Sequence, residues 1–255
     1  MSEEVVLVEI DEGVMTITLN RPKARNAVNR ALAEALAAAL DELDANDDVR
    51  VGILTGAEGT FCSGMDLKAF VSGESPSIKG RGLGGLTEQQ PKKPLIAAVE
   101  GYALAGGFEL AISCDLIVAA DTAQFGIPEV KRGLAAAAGG LIKLPRQIPS
   151  RLAMELALTG EFISAQRAYD VGLINRVVDA GTALAGAKAL AATISANGPL
   201  AVAVSKQVVA QSGDWSDAEM WKKQQEMVMP VFVSEDAIEG ATAFAEKRPP
   251  NWKGR

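Results

Sequence analysis

The residues best suited to chemistry are two glutamates, Glu109 and Glu129, each of which follows the predicted end of a buried strand. The sequence contains no histidine, which excludes Ser-His-Asp and Cys-His catalysis and most catalytic zinc and non-haem iron sites. Proton transfer must therefore rely on Asp, Glu, Lys, Tyr or Cys. Two carboxyl groups that converge beyond the ends of parallel strands could serve as acid and base. Alternatively, each carboxylate only complements a helix dipole.

Two glycine-marked turns precede these glutamates. In residues 101–110 a buried strand ends, the chain turns through small residues, and a helix is predicted to begin near Gly106. Free N–H groups at a helix start can stabilise an oxyanion, an effect typically worth about 10²–10³-fold in rate per donor. In residues 59–67, Ser63 and Gly64 follow the predicted strand Val49–Thr55, and small residues there let a ligand approach the backbone. A plain strand-to-helix connection would look the same.

A third glycine motif does not predict a site. Residues Gly80, Gly82 and Gly85 match the dinucleotide fingerprint G-x-G-x-x-G, but they follow a polar loop and no strand precedes them. We therefore expect a flexible loop and no dinucleotide cofactor. The surrounding stretch, residues 71–93, is rich in Gly, Ser and Pro and predicts a surface loop.

Composition limits the class of protein. The 255 residues are 48% hydrophobic and 22% charged, as in a folded globular domain. A formal charge of −7 argues against a nucleic-acid partner, although it permits a local basic patch for a phosphorylated ligand. Cys62 and Cys114 make no disulfide framework. Because the N-terminus is acidic and the longest uncharged stretch, Ala189–Ser205, is too short to span a bilayer, we expect a cytoplasmic protein without a membrane partner.

The order of predicted elements is that of an α/β protein. A hairpin (Val5–Ile10 with Val14–Leu19) is followed by a helix capped by Asn29 and then by the strand Val49–Thr55, which together predict a partly parallel sheet. Further buried strands are predicted at Leu95–Val99 and Leu116–Ala120. After Ser150 strand signals nearly vanish, and helices are predicted at Arg151–Leu158, Ala165–Val171, Ala183–Ser195, Leu200–Gln211, Asp217–Met229 and Asp236–Glu246.

In their order and spacing, several segments resemble the crotonase superfamily, specifically the enoyl-CoA hydratases. The segments are Leu19–Pro22, Asn26–Ala27, Phe61–Leu67, Ala105–Leu110, Ala123–Glu129, Leu158–Gly160, Gly172–Ile174 and Phe244–Arg248. The resemblance implies a spiral of repeated ββα units over residues 1–195. It also implies a helical region over residues 196–255 that forms a homotrimer or a dimer of trimers.

The resemblance further implies an acyl-CoA thioester as substrate and no separate cofactor or metal. The peptide N–H groups of Ser63 and Gly106 would form the oxyanion hole, Glu109 would position and deprotonate water, and Glu129 would exchange the proton at Cα. The positions that match the CoA-binding residues of the family are Lys23, Arg25, Ala27, Asp66, Leu67 and, from a neighbouring subunit, Lys247 or Arg248.

One departure from the family pattern affects the choice of reaction. Hydratases usually carry a Pro-Gly step before the Gly139-Gly140 pair, whereas this chain has Ala135–Ala138. Alanine restricts the backbone more than glycine does, so acyl-chain preference stays open. Retention of both glutamates favours reversible hydration of a trans-2-enoyl-CoA, as in β-oxidation. The alternatives are another reaction of the family, such as double-bond isomerisation or acyl-CoA hydrolysis, and a non-catalytic acyl-CoA-binding protein.

Overall fold

The computed structural model describes residues 4–255, which form eleven strands, ten α-helices and two short 3-10 helices. The strands are β1 (Val6–Asp11), β2 (Val14–Leu19), β3 (Val51–Gly56), β4 (Ser77–Ile78), β5 (Gly82–Leu83), β6 (Leu95–Val99), β7 (Tyr102–Leu104), β8 (Leu116–Ala120), β9 (Gln124–Gly126), β10 (Ile163–Ser164) and β11 (Arg176–Val178). The α-helices are α1 (Arg30–Ala45), α2 (Leu67–Val71), α3 (Gly106–Ala111), α4 (Gly140–Gln147), α5 (Ser150–Thr159), α6 (Ala165–Asp170), α7 (Ala183–Ser195), α8 (Pro199–Ser212), α9 (Met220–Phe232) and α10 (Glu235–Glu246). The 3-10 helices are Pro22–Ala24 and Pro128–Arg132.

The main sheet has the order β1-β2-β3-β6-β8-β11. Glu12 and Gly13 both have positive φ (48° and 77°), as a tight hairpin turn requires, and they join β1 to β2 in antiparallel pairing. The other neighbours pair in parallel. Helix α1 begins where the Asn29 side chain accepts a hydrogen bond from the Leu32 N–H, and it carries the chain from β2 to β3. The predicted hairpin and β-α-β unit are confirmed.

A second, smaller sheet has the order β10-β9-β7. Strand β6 is followed by β7 and then α3, and β8 is followed by β9 and then a 3-10 helix. Cys62, after β3, forms an isolated parallel bridge to Ala103 of β7. Successive turns of the chain thus contribute to both sheets, which confirms the α/β class and the repeated β-β-helix pattern. The three-residue strands β7 and β9 were not predicted, because they are too short to show an alternating pattern.

The prediction of a flexible surface loop over residues 71–93 is wrong in part. Strands β4 and β5 form a short hairpin, and residues 82–87 are buried. A Cβ at Gly85 would lie 2.6 Å from the Cβ of Ala37, so this glycine lets the loop pack directly against α1. No helix follows Gly85, in agreement with the rejection of the dinucleotide motif.

The C-terminal part is helical as predicted, with two short strands added, of which β10 pairs with β9 in the small sheet. Strand β11, which was not predicted, pairs in parallel with β8 at the edge of the main sheet. Helix α7 buries small residues against this sheet, whereas Trp221, Phe232 and Phe244 on α9 and α10 are 70%, 70% and 87% exposed. The division after residue 195 and the trimer stay predictions.

Within residues 4–255 no single helix is long and apolar enough to cross a membrane; α7 and α8 meet that criterion only as a pair, bent by 110°.

An ion pair joins α8 to the sheet. The Lys206 Nζ lies 2.7 Å from Asp115 Oδ2 and donates to the Lys93 carbonyl at 2.9 Å, and the two side chains are 10% and 21% exposed. Asp115 also accepts the Leu95 N–H, so the pair links α8 to the start of β6. Burial raises the pKa of Asp115, and the charge of Lys206 opposes that effect.

Lys206→Met is expected to lower the free energy of unfolding by about 3–5 kcal/mol, because it leaves a buried carboxylate without its cation. Urea denaturation at pH 7 measures the change. The control is Lys222→Met, because the Lys222 side chain is 82% exposed in its ion pair; it should change the free energy by less than about 0.5 kcal/mol. Equal denaturation midpoints for wild type and Lys206→Met would show that the pair does not anchor α8.

Candidate active site

A cleft of about 1120 Å³ brings both glycine turns and both glutamates together. Nine of the residues predicted to form the site line it: Lys23, Arg25, Ala27, Ser63, Asp66, Leu67, Gly106, Glu109 and Glu129. Lys247 does not. Residues up to 106 positions apart in sequence thus meet at one surface, because the segments that follow β2, β3, β7 and β9 together line the cleft.

The structure corrects one predicted backbone donor. The Ser63 N–H donates to the Arg25 carbonyl at 3.0 Å, so it is not free to bind a ligand. The neighbouring Met65 N–H has no acceptor among residues 4–255. Gly64, with φ of 102°, interrupts the alternation of N–H directions in the extended chain. As a result the N–H groups of Ser63 and Asp66 face the main chain around Arg25 and Val28, while Met65 N–H does not.

The Met65 N–H lies close to the start of α3. A Cβ at Gly106 would be 3.4 Å from Met65 N, and a Cβ at Gly64 would be 3.1 Å from Gly106 N. Gly106 is the first residue of α3, and its N–H also lacks an acceptor among the described residues. A Cβ at Gly107 would be 2.2 Å from the Cys62 carbonyl oxygen, so the small residues are what allow the two segments to touch. Two free peptide N–H groups are therefore adjacent in the cleft.

Glu109 lies in the first turn of α3 and is 3% exposed. Its Oε1 accepts the Gly140 N–H at 2.8 Å. Burial raises the pKa of Glu109 to about 7, and the nearby charge of Glu129 adds to the increase. The peptide N–H groups of Gly140 and Ala138 and the charge of Lys143 oppose it. Glu109 can consequently bind or release a proton near neutral pH.

Glu129 lies in the 3-10 helix that follows β9, on the same cleft. Its side chain is half-buried, and its Oε2 atom is buried without a hydrogen-bond partner among the described residues. Burial raises the pKa of Glu129, while its own backbone N–H and the charge of Arg132 lower it. An unpaired carboxylate oxygen in a cleft is costly unless a ligand or water satisfies it. This geometry fits a group that exchanges protons.

The raised pKa of Glu109 predicts a pH-dependent stability. A carboxyl whose pKa rises on folding contributes stability below its unfolded pKa, and that contribution is lost as the pH rises through the folded value of about 7. Glu109→Gln should therefore increase the free energy of unfolding at pH 8 by up to about 3 kcal/mol, and by much less at pH 5. Thermal and urea denaturation at both pH values test this. The exposed Glu88, replaced with glutamine, should show no such difference.

The residues predicted to contact CoA differ in whether their charged groups are free to bind a ligand. The predicted Lys23 and Arg25 line the cleft and make no ion pair within residues 4–255, and the same holds for Lys68, which was not predicted. Asp66, in contrast, is engaged: it caps α2 and pairs with Arg21 at 2.9 Å. Contacts within the chain therefore occupy the Asp66 carboxylate, and its partner Arg21 was not predicted as a site residue.

The predicted contacts from a neighbouring subunit fall on the end of α10. Lys247 is exposed and ends this helix with a φ of 54°. Arg248 is engaged within its own chain, because it forms ion pairs with Glu239 and Glu246. The role of Lys247 stays a prediction, and Arg248 is the less available of the two.

Comparison with known proteins identifies the family of this chain. A family profile described as "Enoyl-CoA hydratase/isomerase" matches residues 9–255. The chain belongs to this family. Enoyl-CoA hydratase EchA19 from Mycobacterium tuberculosis is 44% identical over 98% of this chain and 96% of the relative. Carnitinyl-CoA dehydratase from Proteus mirabilis is 41% identical over 95% of each chain.

Solved structures of the enoyl-CoA hydratase/isomerase family share the fold. An enoyl-CoA hydratase from Mycobacterium tuberculosis H37Rv is 56% identical with a TM-score of 0.98, over 99% of this chain and 100% of the other. A carnitinyl-CoA hydratase from Mycobacterium avium is 44% identical with a TM-score of 0.80, over the whole of both chains. The predicted resemblance and the fold of the crotonase family are thus confirmed.

Proposed function

We propose that this family member catalyses the reversible hydration of a trans-2-enoyl-CoA to a 3-hydroxyacyl-CoA. The observation that carries the proposal is the convergence of two carboxyl groups of raised pKa with two free peptide N–H groups in one cleft. An acyl-CoA-binding protein without activity would gain nothing from burying two carboxyl groups beside the thioester. The named hydratases among its relatives support the same reaction.

The proposed mechanism uses each group once. The N–H groups of Met65 and Gly106 donate to the thioester oxygen and stabilise the enolate that forms there. Glu109, as the carboxylate, takes a proton from water while the water oxygen bonds to Cβ. The π electrons move into the enolate, and Glu129, as the acid, delivers its proton to Cα. The forward reaction therefore starts with one proton on the pair, carried by Glu129, and the proposal needs no metal or redox cofactor.

The coenzyme is proposed to bind along the basic side of the cleft. Lys23, Arg25 and Lys68 have ammonium or guanidinium groups free for phosphate oxygens. The acyl chain then extends past the glutamates toward Leu134, Ala135, Ala137 and Ala138, which line the same cleft.

Dehydration of carnitinyl-CoA is a second candidate, because relatives with that name are 40–41% identical to this chain. This dehydration is the reverse of such a hydration, but the acyl group carries a quaternary ammonium. The far side of the cleft offers Lys131 and Arg132, and the Lys131 Nζ pairs with Glu161 at 2.7 Å. Glu161 neutralises Lys131, but Arg132 makes no ion pair among residues 4–255. Its charge disfavours a nearby quaternary ammonium, so we favour an uncharged acyl chain.

The deciding experiment compares purified wild-type protein on trans-2-enoyl-CoAs of increasing chain length and on the CoA thioester of carnitine. Loss of the conjugated-enoyl absorbance reports hydration, and its appearance reports dehydration of the carnitine thioester. Turnover of the uncharged series with little turnover of the carnitine thioester is expected. No turnover of any chain length by folded protein would reject the hydratase proposal, and binding of acyl-CoA without turnover would favour the non-catalytic alternative.

The alanine run predicts how acyl length is limited. Ala135, Ala137 and Ala138 line the cleft, whereas Ala136 is buried behind it. Ala137→Leu should lower kcat/KM for long-chain enoyl-CoAs about 10-fold or more, because the added side chain occupies space that the distal acyl carbons need. Turnover of crotonyl-CoA should change little, since its short acyl chain ends near the glutamates. A uniform loss across all chain lengths would place the acyl chain elsewhere.

A further inference from the structure

Lys143 closes a ring of hydrogen bonds around Glu109. Its Nζ donates to Ser113 Oγ and to the Thr87 carbonyl, each at 2.7 Å. Ser113 Oγ in turn donates to the Glu109 carbonyl at 2.7 Å. Gly140, three residues before Lys143 on α4, donates its N–H to the Glu109 carboxylate. Both ends of Glu109, its peptide carbonyl and its side chain, are thus tied to α4.

We propose that Lys143 is a positioning residue, which holds the start of α4 against α3 so that the Gly140 N–H stays on the Glu109 carboxylate. The inference rests on the proposed hydration reaction and deepens it. Lys143 does not line the cleft and so does not touch substrate. Lys143 instead acts on the orientation and the charge of Glu109, the group that binds water.

The burial of Lys143 indicates that it is not simply a solvent-exposed surface lysine. Leu141 and Ile142, the residues before it on α4, are 46% and 68% exposed, whereas the Lys143 side chain turns inward to reach Ser113 and Thr87. Burial lowers the pKa of Lys143, and neighbouring Cys114 and Glu109 partly restore it. An ammonium removed from water needs compensating hydrogen bonds, which Ser113 and Thr87 supply.

The charge of Lys143 also acts on Glu109. Among the groups that face Glu109, Glu129 from the 3-10 helix raises its pKa, and Lys143 from α4 lowers it. Strand β7, which also packs against α3, carries Tyr102 as its titratable residue. Removing the ammonium while the carboxyl stays buried should therefore keep Glu109 protonated to higher pH. Less of the enzyme would then hold the base in its active form at pH 7.

The test compares Lys143→Met with Lys143→Arg. For Lys143→Met we expect kcat for crotonyl-CoA at pH 7 to fall about 10-fold, KM to stay within about twofold, and the acidic limb of the kcat profile to move to higher pH. Lys143→Arg should recover most of the rate, because it keeps the charge. The matched control is Gln147→Leu, since Gln147 joins the same helix to the Ile112 carbonyl at 3.1 Å without contacting Ser113.

A readout independent of turnover separates this inference from the proposed function. Carboxyl ¹³C NMR titration of Glu109, assigned by loss of its signal in Glu109→Gln, should give a higher pKa in Lys143→Met than in wild type. If wild type hydrates no enoyl-CoA but this shift is present, the function is wrong and the positioning role stands. An unchanged Glu109 titration in folded Lys143→Met, or an equal effect in Gln147→Leu, would overturn the role of Lys143.

Discussion

Glu129→Gln and Glu109→Gln are each expected to lower kcat for enoyl-CoA hydration by about 10²–10⁴-fold, the usual contribution of a positioned acid or base. Glutamine has nearly the same shape as glutamate but cannot exchange a proton. In Glu109→Gln the amide oxygen of the new side chain can still accept the Gly140 N–H, so the local structure should persist. Initial rates with crotonyl-CoA, followed by loss of the enoyl absorbance, measure the effect.

The glutamate prediction has a control in the same cleft. Glu88 also lines it but is exposed, and Glu88→Gln should retain nearly full activity. Because both groups act in the same addition step, the double variant should be little slower than the slower single variant. Near wild-type rates in either single variant would remove that glutamate from the mechanism.

Met65→Pro is expected to lower kcat by about 10²–10³-fold, because it deletes one of the two N–H donors for the thioester oxygen. Met65 tolerates the loss of its N–H within the fold, since that group has no acceptor among residues 4–255. Gly64 precedes it, and glycine accepts the backbone restriction that proline imposes better than other residues do. KM should change less than kcat, because the bond to oxygen strengthens as the enolate forms.

The oxyanion-hole prediction is checked against Met65→Leu, which keeps the N–H and the apolar side chain and should keep the rate. Circular dichroism and binding of a saturated acyl-CoA establish that Met65→Pro is folded and still binds ligand. If folded Met65→Pro turns over crotonyl-CoA at the rate of Met65→Leu, Met65 is not a donor. Gly106 would then be the one remaining donor of the proposed pair, since the Ser63 N–H is bonded to the Arg25 carbonyl.

Both predictions depend on the close contact between the chain after β3 and the start of α3. Ala105 adopts a φ of 51° and ψ of −129°, a conformation that is costly for alanine and aims the first peptide of α3. Its N–H is satisfied by the Gly126 carbonyl of β9. The second sheet therefore stabilises an arrangement that local preferences oppose.

Much of the framework could be predicted from local signals in the sequence. The hairpin, the helix capped by Asn29 and the buried strands of the main sheet appear where turn residues and hydrophobic period place them. Glu109 and Glu129 could be singled out because a chain without histidine has few other proton carriers. These features depend on a residue and its near neighbours, so the order of residues alone is enough to indicate them.

Other features depended on contacts between distant segments, and only the tertiary structure decided them. The free donor is Met65 and not Ser63, because the Arg25 carbonyl, 38 positions away, occupies the Ser63 N–H. The pKa of Glu109 near 7 arises from burial among segments that are distant in sequence, and Lys143 reaches its carbonyl only through Ser113. The direction of a peptide N–H and the desolvation of a carboxyl are set by what packs around them. The sequence by itself determined which groups could do the chemistry, and the packing determined which of them are free to do it.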